Sequence, residues 1–223
     1  MNISSETINI LKNFSGINAN LVFKPGQGLS TISEAKTIMA KATVTEDFPV
    51  EFGVYDLSEF LSVMNLVDSP TLVFEDKSVF IHGSGGQKVR YYYSELEILT
   101  QPTKDITMPE TEVNITLTAE ALGSLKKAAS VLGHIDVALE GKDGVVKLKA
   151  FDFKDASANT FELEVGTNPS ATDFNFIMNI ANLKLIDGDY DVFISSRLIS
   201  KWVNKTKPVT YFIALEKTST YGV

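Results

Sequence analysis

The chain has 223 residues, 44% of them hydrophobic and 22% charged, and 28 acidic against 20 basic residues give a formal net charge of −8. This is a globular composition, and no apolar run approaches the roughly 18 residues of a membrane helix. The absence of cysteine excludes disulfides, thiolate metal sites and cysteine nucleophiles. The first residues lack the basic and apolar regions of a secretory signal, so we do not expect secretion.

The first half of the chain predicts a helix, a group of strands, a second helix and a second group of strands. Apolar residues recur at helical spacing in residues 4–14 and 57–67, and Asp56 with Glu59 forms a capping pair before the second segment. Stretches rich in β-branched and aromatic residues predict strands at 21–23, 37–44, 50–55, 71–74, 79–82 and 89–93. Turn signals separate these strands at 24–26, 46–47, 75–77 and 83–86.

The second half repeats this order of elements. Residues 118–132 predict a helix capped by Thr118, and residues 179–186 predict a shorter, weaker helix. Strands are predicted at 135–139, 145–153, 160–165, 174–178, 190–194 and 209–215. Many of them alternate apolar and polar residues, which favours antiparallel sheets with one buried face.

The repeated order indicates an internal duplication. In each half a strand runs directly into a helix, at Asp56 in the first half and at Asn179 in the second. Residues 100–112 are polar, contain two prolines and lack periodicity, as expected of a connector. We therefore predict half-domains at 1–99 and 113–223, joined by a connector at 100–112.

The predicted helices are more cationic than the rest of the chain. Their acids, Glu6, Glu59 and Glu120, all lie in first turns, where the helix dipole favours a carboxylate. Their basic residues are Lys12, Lys126, Lys127 and Lys184. This bias predicts a helical surface that contacts phosphates without reading bases, with Lys126 and Lys127 on the exposed side of their helix. The alternative is that these are ordinary exposed lysines of surface helices.

The chemical motifs in the chain are incomplete. Residues 83–89 lack the spacing of a phosphate-binding loop, and no helix follows them. Residues 187–191 carry alternate aspartates but not the Gly and Glu that a calcium loop requires. Two histidines leave little material for a metal site or a hydrolytic triad. We therefore expect no catalytic residues, no metal and no cofactor, and a protein that is not an enzyme.

Four stretches together are similar to one known family. They are residues 10–14 (ILKNF), 54–61 (VYDLSEFL), 174–184 (FNFIMNIANLK) and 214–220 (ALEKTST). In this order, along a chain of this length, they resemble the DNA polymerase sliding clamp of T-even-type bacteriophages. The resemblance runs from end to end of the chain.

The resemblance implies an α+β protein with the DNA clamp fold, in which two tandem half-domains place antiparallel sheets outside and four helices along a ring. It implies a closed homotrimer that encircles duplex DNA and tethers the replicative DNA polymerase as a processivity factor. An ATP-driven clamp loader would open and place the ring, and late-transcription factors are further possible partners. The expected location is the cytoplasm of an infected bacterial host, with no membrane association.

The resemblance also implies two protein-binding sites. Partner peptides would dock in an apolar pocket beside the connector, formed by Ile106, Met108, Pro109, Ala214 and Leu215, unless these residues merely pack the connector onto a sheet. Subunits would pair through edge strands, with residues 89–93 or 95–99 of one subunit against 158–165 of its neighbour. The corresponding interface residues are Tyr91, Tyr93, Phe161 and Leu163.

Two other readings of the sequence stay open. An oligomeric, β-rich structural protein of a virion would fit the acidic, strand-rich composition but would not need cationic helices. An enzyme on a two-domain β scaffold would need converging carboxylates, and the sequence offers no pair to name.

Overall fold

A computed structural model describes residues 1–168, 170 and 172–222. Within these residues, three segments form α-helices: Ser5–Ile17 (α1), Leu57–Met64 (α2) and Ala119–Leu132 (α3). The strands of the first half are Leu21–Phe23 (β1), Gly26–Ile32 (β2), Ile38–Phe48 (β3), Phe52–Val54 (β4), Thr71–Phe74 (β5), Ser78–His82 (β6) and Lys88–Tyr92 (β7). Those of the second are Val113–Leu117 (β8), Asp136–Lys142 (β9), Val145–Phe151 (β10), Phe161–Thr167 (β11), Phe174–Asn179 (β12), Tyr190–Ser195 (β13), Ile199–Asn204 (β14), Val209–Ala214 (β15) and Thr220–Tyr221 (β16).

The chain divides into two compact units. The first comprises Met1–Asp105 with Pro208–Thr210, and the second Ile106–Lys207 with Tyr211–Val223. The main division therefore falls between Asp105 and Ile106, inside the segment predicted to be the connector. None of the described helices is long and apolar enough to cross a membrane.

The first unit is built around aromatic side chains. The strands pair antiparallel as β1 with β4, β2 with β3, and β5-β6-β7. The rings of Phe23 and Phe52 stack at 4.4 Å between centroids, and the Phe60 ring of α2 lies 6.2 Å from that of Phe23. Buried aromatic rings contribute much of the stabilising apolar area in such a core, so this cluster holds α2 against β1 and β4.

Glu46 links α1 to β3. The sequence predicted a turn at residues 46–47, and this prediction is wrong, because both residues lie within β3. The Glu46 carboxylate is buried and accepts hydrogen bonds from the Ser4 N–H and the Thr7 hydroxyl. The Ser4 hydroxyl in turn accepts from the Thr7 N–H. The first turn of α1 is therefore capped by its own Ser4 side chain and by the Glu46 side chain of β3.

Gly53 of β4 allows the chain after β7 to pass close by. The Ser94 N–H donates to the Gly53 carbonyl at 2.9 Å. A Cβ atom at position 53 would lie 2.5 Å from Leu99 Cδ1 and 2.8 Å from the Ser94 carbonyl oxygen. Only glycine provides the space for this approach.

The second unit contains antiparallel strands in the orders β11-β10-β9-β12-β16 and β15-β14-β13-β8. Helix α3 packs against β9, β10 and β11. Thr118 caps α3, since its hydroxyl accepts from the Ala121 N–H, and Asp189 accepts from the Ala119 N–H. Trp202 and Tyr190 are fully buried, with ring centroids 6.2 Å apart.

The two units repeat one junction with different outcomes. After β4, the Asp56 carboxylate accepts from the Glu59 N–H and begins α2. After β12, the Asn179 side chain accepts from the Ala181 N–H and begins a 3-10 turn over Ile180–Asn182. The predicted helix at 179–186, and with it the expectation of four helices, is therefore wrong. Leu183 and Leu185 are both buried, and their spacing of two residues suits an extended chain rather than a helix.

The sequence-predicted strands omit β2, β8, β14 and β16. Strand β2 begins at Gly26, where the sequence predicted a turn, and gains its order by pairing with β3. Strand β14 buries Ser200, Trp202 and Asn204 while Ile199 and Val203 are half-buried, so its buried row does not follow the apolar residues of the sequence. Pairing with other strands outweighs local propensity at these positions.

We expect Glu46→Gln to lower the free energy of unfolding near neutral pH by about 1–3 kcal/mol, because a buried hydrogen-bond network loses a partner. Burial by itself raises the pKa of Glu46, but the hydrogen bonds from Thr7 and Ser4 outweigh it, and the pKa is lowered. The folded state therefore binds the proton less readily than the unfolded chain. This stabilisation is present above the unfolded pKa of roughly 4.3 and disappears as the pH falls through the lower folded value.

Urea denaturation at several pH values measures this effect. The difference between the wild type and Glu46→Gln should be largest near pH 7 and shrink below roughly pH 4. Glu51→Gln, at an exposed position, is the matched control and should change little. A difference that stays constant with pH would contradict the role assigned to the Glu46 charge.

Candidate nucleic-acid interface and docking surfaces

Helix α1 presents Lys12 to solvent. Ile10, Leu11 and Phe14 are buried on the opposite side of the helix, and Lys12 is exposed. Glu6 lies in the first turn, as the sequence predicted. Beyond that turn, the charged side chain of α1 is Lys12, so the outer surface of this helix is cationic.

Helix α3 places its two lysines in different surroundings. Lys127 is exposed, as predicted, but Lys126 is half-buried. Lys126 lines a small cavity of about 40 Å³ with Leu122, Leu185 and Tyr190. Burial lowers the pKa of Lys126, and the nearby Asp187 carboxylate partly offsets this. The expectation that both lysines project from the exposed side is therefore wrong for Lys126, because residues 185–190 pack over its stem.

Lys184 lies outside any helix. It is exposed and sits between the buried side chains of Leu183 and Leu185, after the 3-10 turn. Helix α2 contains no lysine in its sequence, and its exposed side chains include Ser58, Glu59 and Ser62. The exposed cations of the predicted set are thus Lys12, Lys127 and Lys184.

The residues predicted to bind partner peptides differ in exposure. Ile106, Met108, Pro109 and Ala214 are half-buried, without regular structure at 106–109. Leu215 is 6% exposed, and its N–H donates to the Leu198 carbonyl at 3.0 Å. Leu215 therefore belongs to the core of the second unit and offers little surface to a ligand, whereas Met108 and Pro109 retain accessible apolar area.

Strand β7 forms one edge of the sheet β5-β6-β7. Tyr91 faces inward, with its ring 5.0 Å from that of Phe60 in α2, and burial together with the Glu59 and Asp56 carboxylates raises its pKa to about 12. Tyr93 follows the strand and stacks on Phe52 at 4.9 Å. Both predicted interface tyrosines are half-buried within their own unit.

Strand β11 forms one edge of the sheet β11-β10-β9-β12-β16. Phe161 and Leu163 are half-buried and alternate with the exposed Glu162 and Glu164. Leu163 helps line an open groove of about 420 Å³ between β11 and α3. The alternative interface segment, residues 95–99, contains a 3-10 turn over Leu96–Ile98 and is not a strand.

The incomplete motifs have structural roles. Residues 83–86 form the turn between β6 and β7, where the Gly83 N–H donates to the Gln87 carbonyl. In the stretch 187–191, Asp189 caps α3 and Asp191 accepts from Thr116 and Lys205. Among the described residues, no group of three or more His, Cys, Asp or Glu side chains is placed to hold a metal ion.

Solved structures share this fold. The PCNA of Thermococcus kodakaraensis aligns with a TM-score of 0.67 and 16% identity, covering 95% of this chain and 96% of that one. A beta clamp of H. pylori aligns with a TM-score of 0.72 and 9% identity, covering 97% of this chain and 66% of the longer protein. The fold is therefore that of the DNA clamps, as the sequence predicted.

Sequence comparisons define the family more closely. A model described as gp45 sliding clamp, C terminal, matches residues 114–217, and one described as DNA polymerase processivity factor matches residues 4–97. The sliding clamp of Vibrio phage KVP40 is 36% identical over 222 residues, covering 97% of this chain and 99% of its relative. The sliding clamp of Escherichia phage RB69 is 27% identical over 99% of both chains.

The chain belongs to the bacteriophage sliding clamp family, the DNA polymerase processivity factors. The resemblance stated from the sequence is confirmed. The alternative of a virion structural protein finds no support in these comparisons.

The contrast between the α3 lysines generates a stability prediction. We expect Lys126→Ala to lower the free energy of unfolding by about 1 kcal/mol, because it removes a half-buried stem, and Lys127→Ala to change it by less than about 0.5 kcal/mol. Both variants lose one charge from the same helix. Lys126→Met should recover much of the loss in chemical denaturation, since it keeps the apolar stem. Equal effects of the two alanine substitutions would contradict the difference in burial.

Proposed function

We propose that three copies of the chain close into a ring around duplex DNA, and that the ring tethers the replicative DNA polymerase to its template. The observation that carries this proposal is the position of the exposed helical cations in a protein of net charge −8. Lys12 and Lys127 stand on the outer sides of α1 and α3, with helical acids confined to first turns. In the proposed ring these helices face the phosphates.

Sliding requires contacts that hold no fixed register on DNA. Lysine contacts to phosphates carry no sequence information and are weakened by salt, so they suit a protein that moves along the duplex. The acidic remainder of the surface disfavours unproductive binding outside the ring. Enclosure rather than affinity then keeps the protein on DNA, and the protein performs no chemistry of its own.

The partners proposed for this ring follow the same logic. A closed ring must be opened to admit DNA, which calls for an ATP-driven clamp loader. The polymerase, the loader and late-transcription factors would share the apolar surface of Met108 and Pro109 on the connector, with Ile106 and Ala214 beside it. A flexible, polarizable methionine suits several different partner peptides. The site of action would be the cytoplasm of the infected host cell.

Replacing Lys12, Lys127 and Lys184 together by alanine tests the proposed DNA interface. We expect severalfold shorter products in primer extension by the cognate polymerase with its clamp loader on a long template. The salt dependence of binding to duplex DNA should also become shallower, with the log–log slope reduced by about 0.9 for each phosphate that is no longer neutralised.

A triple variant at Lys24, Lys77 and Lys142 is the matched control. These lysines are exposed outside the α-helices, so the control loses the same charge and should retain processivity. If the helical and control variants behave alike, the DNA-facing role of the helical lysines fails.

Met108→Asp tests the proposed peptide site. Burying a methionine side chain in an interface contributes about 2 kcal/mol, so we expect roughly thirtyfold weaker binding of the polymerase. Calorimetry or surface plasmon resonance with the purified polymerase measures the change. Thr107→Asp, at the exposed neighbouring position, is the control, and equal losses in both variants would point to charge repulsion rather than to a pocket.

A further inference from the structure

We propose that the open face of the sheet β5-β6-β7 binds single-stranded nucleic acid, with Lys88 and Arg90 on phosphates and the ring of Tyr92 stacked on a base. The inference concerns the first unit alone and goes beyond the proposed ring. We call this surface the cation–aromatic face, and its members are Val73, Phe80, His82, Lys88, Arg90 and Tyr92.

The strand register brings these side chains together. Phe80 of β6 lies between Val73 of β5 and Arg90 of β7. His82 faces Lys88 in the neighbouring row. Facing residues of paired strands point to the same side of a sheet, and so do residues two positions apart on one strand. Rings and cations therefore alternate across one surface.

The two sides of this sheet differ in what covers them. Tyr91 and Ile81 point to the side of α2, where the Tyr91 ring lies 5.0 Å from that of Phe60 and Ile81 is buried. On the cation–aromatic face, Tyr92 is 65% exposed and Val73 is 48% exposed. Large apolar and aromatic side chains are thus accessible to a ligand on this side.

The cations of this face are held over aromatic rings. Lys88 Nζ lies 3.7 Å and Arg90 Cζ lies 4.6 Å from the centroid of the Phe80 ring. Arg90 also donates to the Tyr92 hydroxyl at 3.4 Å and to the Glu75 carboxylate at 3.0 Å. These contacts restrict two long side chains before a ligand arrives, which reduces the entropy lost on binding.

The face can still accept an anion. Glu75 compensates the charge of Arg90, but a guanidinium has five N–H donors and can bond to several acceptors at once. In the part of the chain that the structure describes, the ion pairs do not include Lys88. The face is therefore a local exception on a protein of net charge −8.

The combination of cations with an exposed ring favours a single strand over a duplex. A duplex keeps its bases stacked inside and would use the cations but not the ring of Tyr92. A single strand offers base faces as well as phosphates, and aromatic stacking with cationic contacts to the backbone is the general way to bind it. In a widespread RNA-binding module, aromatic side chains on an open sheet face stack two or three bases.

Fluorescence anisotropy with a labelled oligothymidine tests this inference, with a labelled duplex of equal length for comparison. Tyr92→Ala should weaken binding of the single strand about tenfold, because one base loses its stacking partner, and should leave duplex binding unchanged. Tyr92→Phe keeps the ring and should bind as the wild type does. The double variant with Lys88→Ala and Arg90→Ala should reduce the log–log slope against salt by about 0.7 for each phosphate no longer neutralised.

Three controls locate the binding. The double variant with Lys24→Ala and Lys36→Ala loses the same charge at exposed positions elsewhere in the first unit and should bind the single strand normally. The variant with Lys12, Lys127 and Lys184 replaced by alanine should also bind it normally. A polyglutamate peptide should fail to displace the oligonucleotide, since it offers carboxylates but no bases.

The inference is overturned if the wild type does not bind the single strand at low salt. It is also overturned if only the helical lysine variant loses binding, because the strand would then occupy the proposed duplex interface. Displacement by polyglutamate together with full binding by Tyr92→Ala would identify a site for acidic peptides instead. Primer extension tests the proposed ring separately, so each of these results leaves that proposal intact.

Discussion

A strand at the edge of a sheet leaves alternate main-chain N–H and C=O groups without partners, and in the proposed ring this constraint bears on how subunits meet. Strands β7 and β11 are both such edges, and the side chains on each are sorted into an apolar row and a charged row. Backbone pairing is collectively strong but has little specificity, so the side-chain rows must select the partner and the register.

The second constraint is electrostatic, because an acidic protein must accept a polyanion. In the proposed DNA interface, segregation resolves this conflict: exposed cations stand on α1 and α3, and helical acids occupy the first turns, where main-chain N–H groups stabilise them. Lys126 is not among these exposed cations, since it is half-buried and lines a small cavity with residues 185–188 and 190. One lysine of a helix can thus be half-buried while its neighbour meets solvent.

Structural elements that depend on residues close together in the sequence could be predicted from the sequence. Helices α1, α2 and α3 were recognisable from their apolar stripes, which in α2 and α3 coincide with the capping residues Asp56 and Thr118. The fold and the family followed from the repeated order of elements and from the resemblance. Features that depend on partners distant in sequence were not recognisable. The turn predicted at Glu46 is part of a strand that pairs with β2 and whose Glu46 side chain bonds to the first turn of α1. The burial of Lys126 depends on a loop some sixty residues away. Likewise, the 3-10 turn after Asn179 is followed by a segment in which the second unit buries two alternate leucines, Leu183 and Leu185.

The glycine at position 53 has a consequence for how such proteins can diverge. The chain leaving β7 lies against this residue, with the Ser94 carbonyl and the Leu99 side chain in the volume that any Cβ would need. A larger side chain at position 53 would displace Ser94 and Leu99. These residues belong to the segment that follows β7 and leads into the connector. Insertions and sequence drift in homologous clamps are therefore expected to spare this crossing point, even where the surrounding surface varies freely.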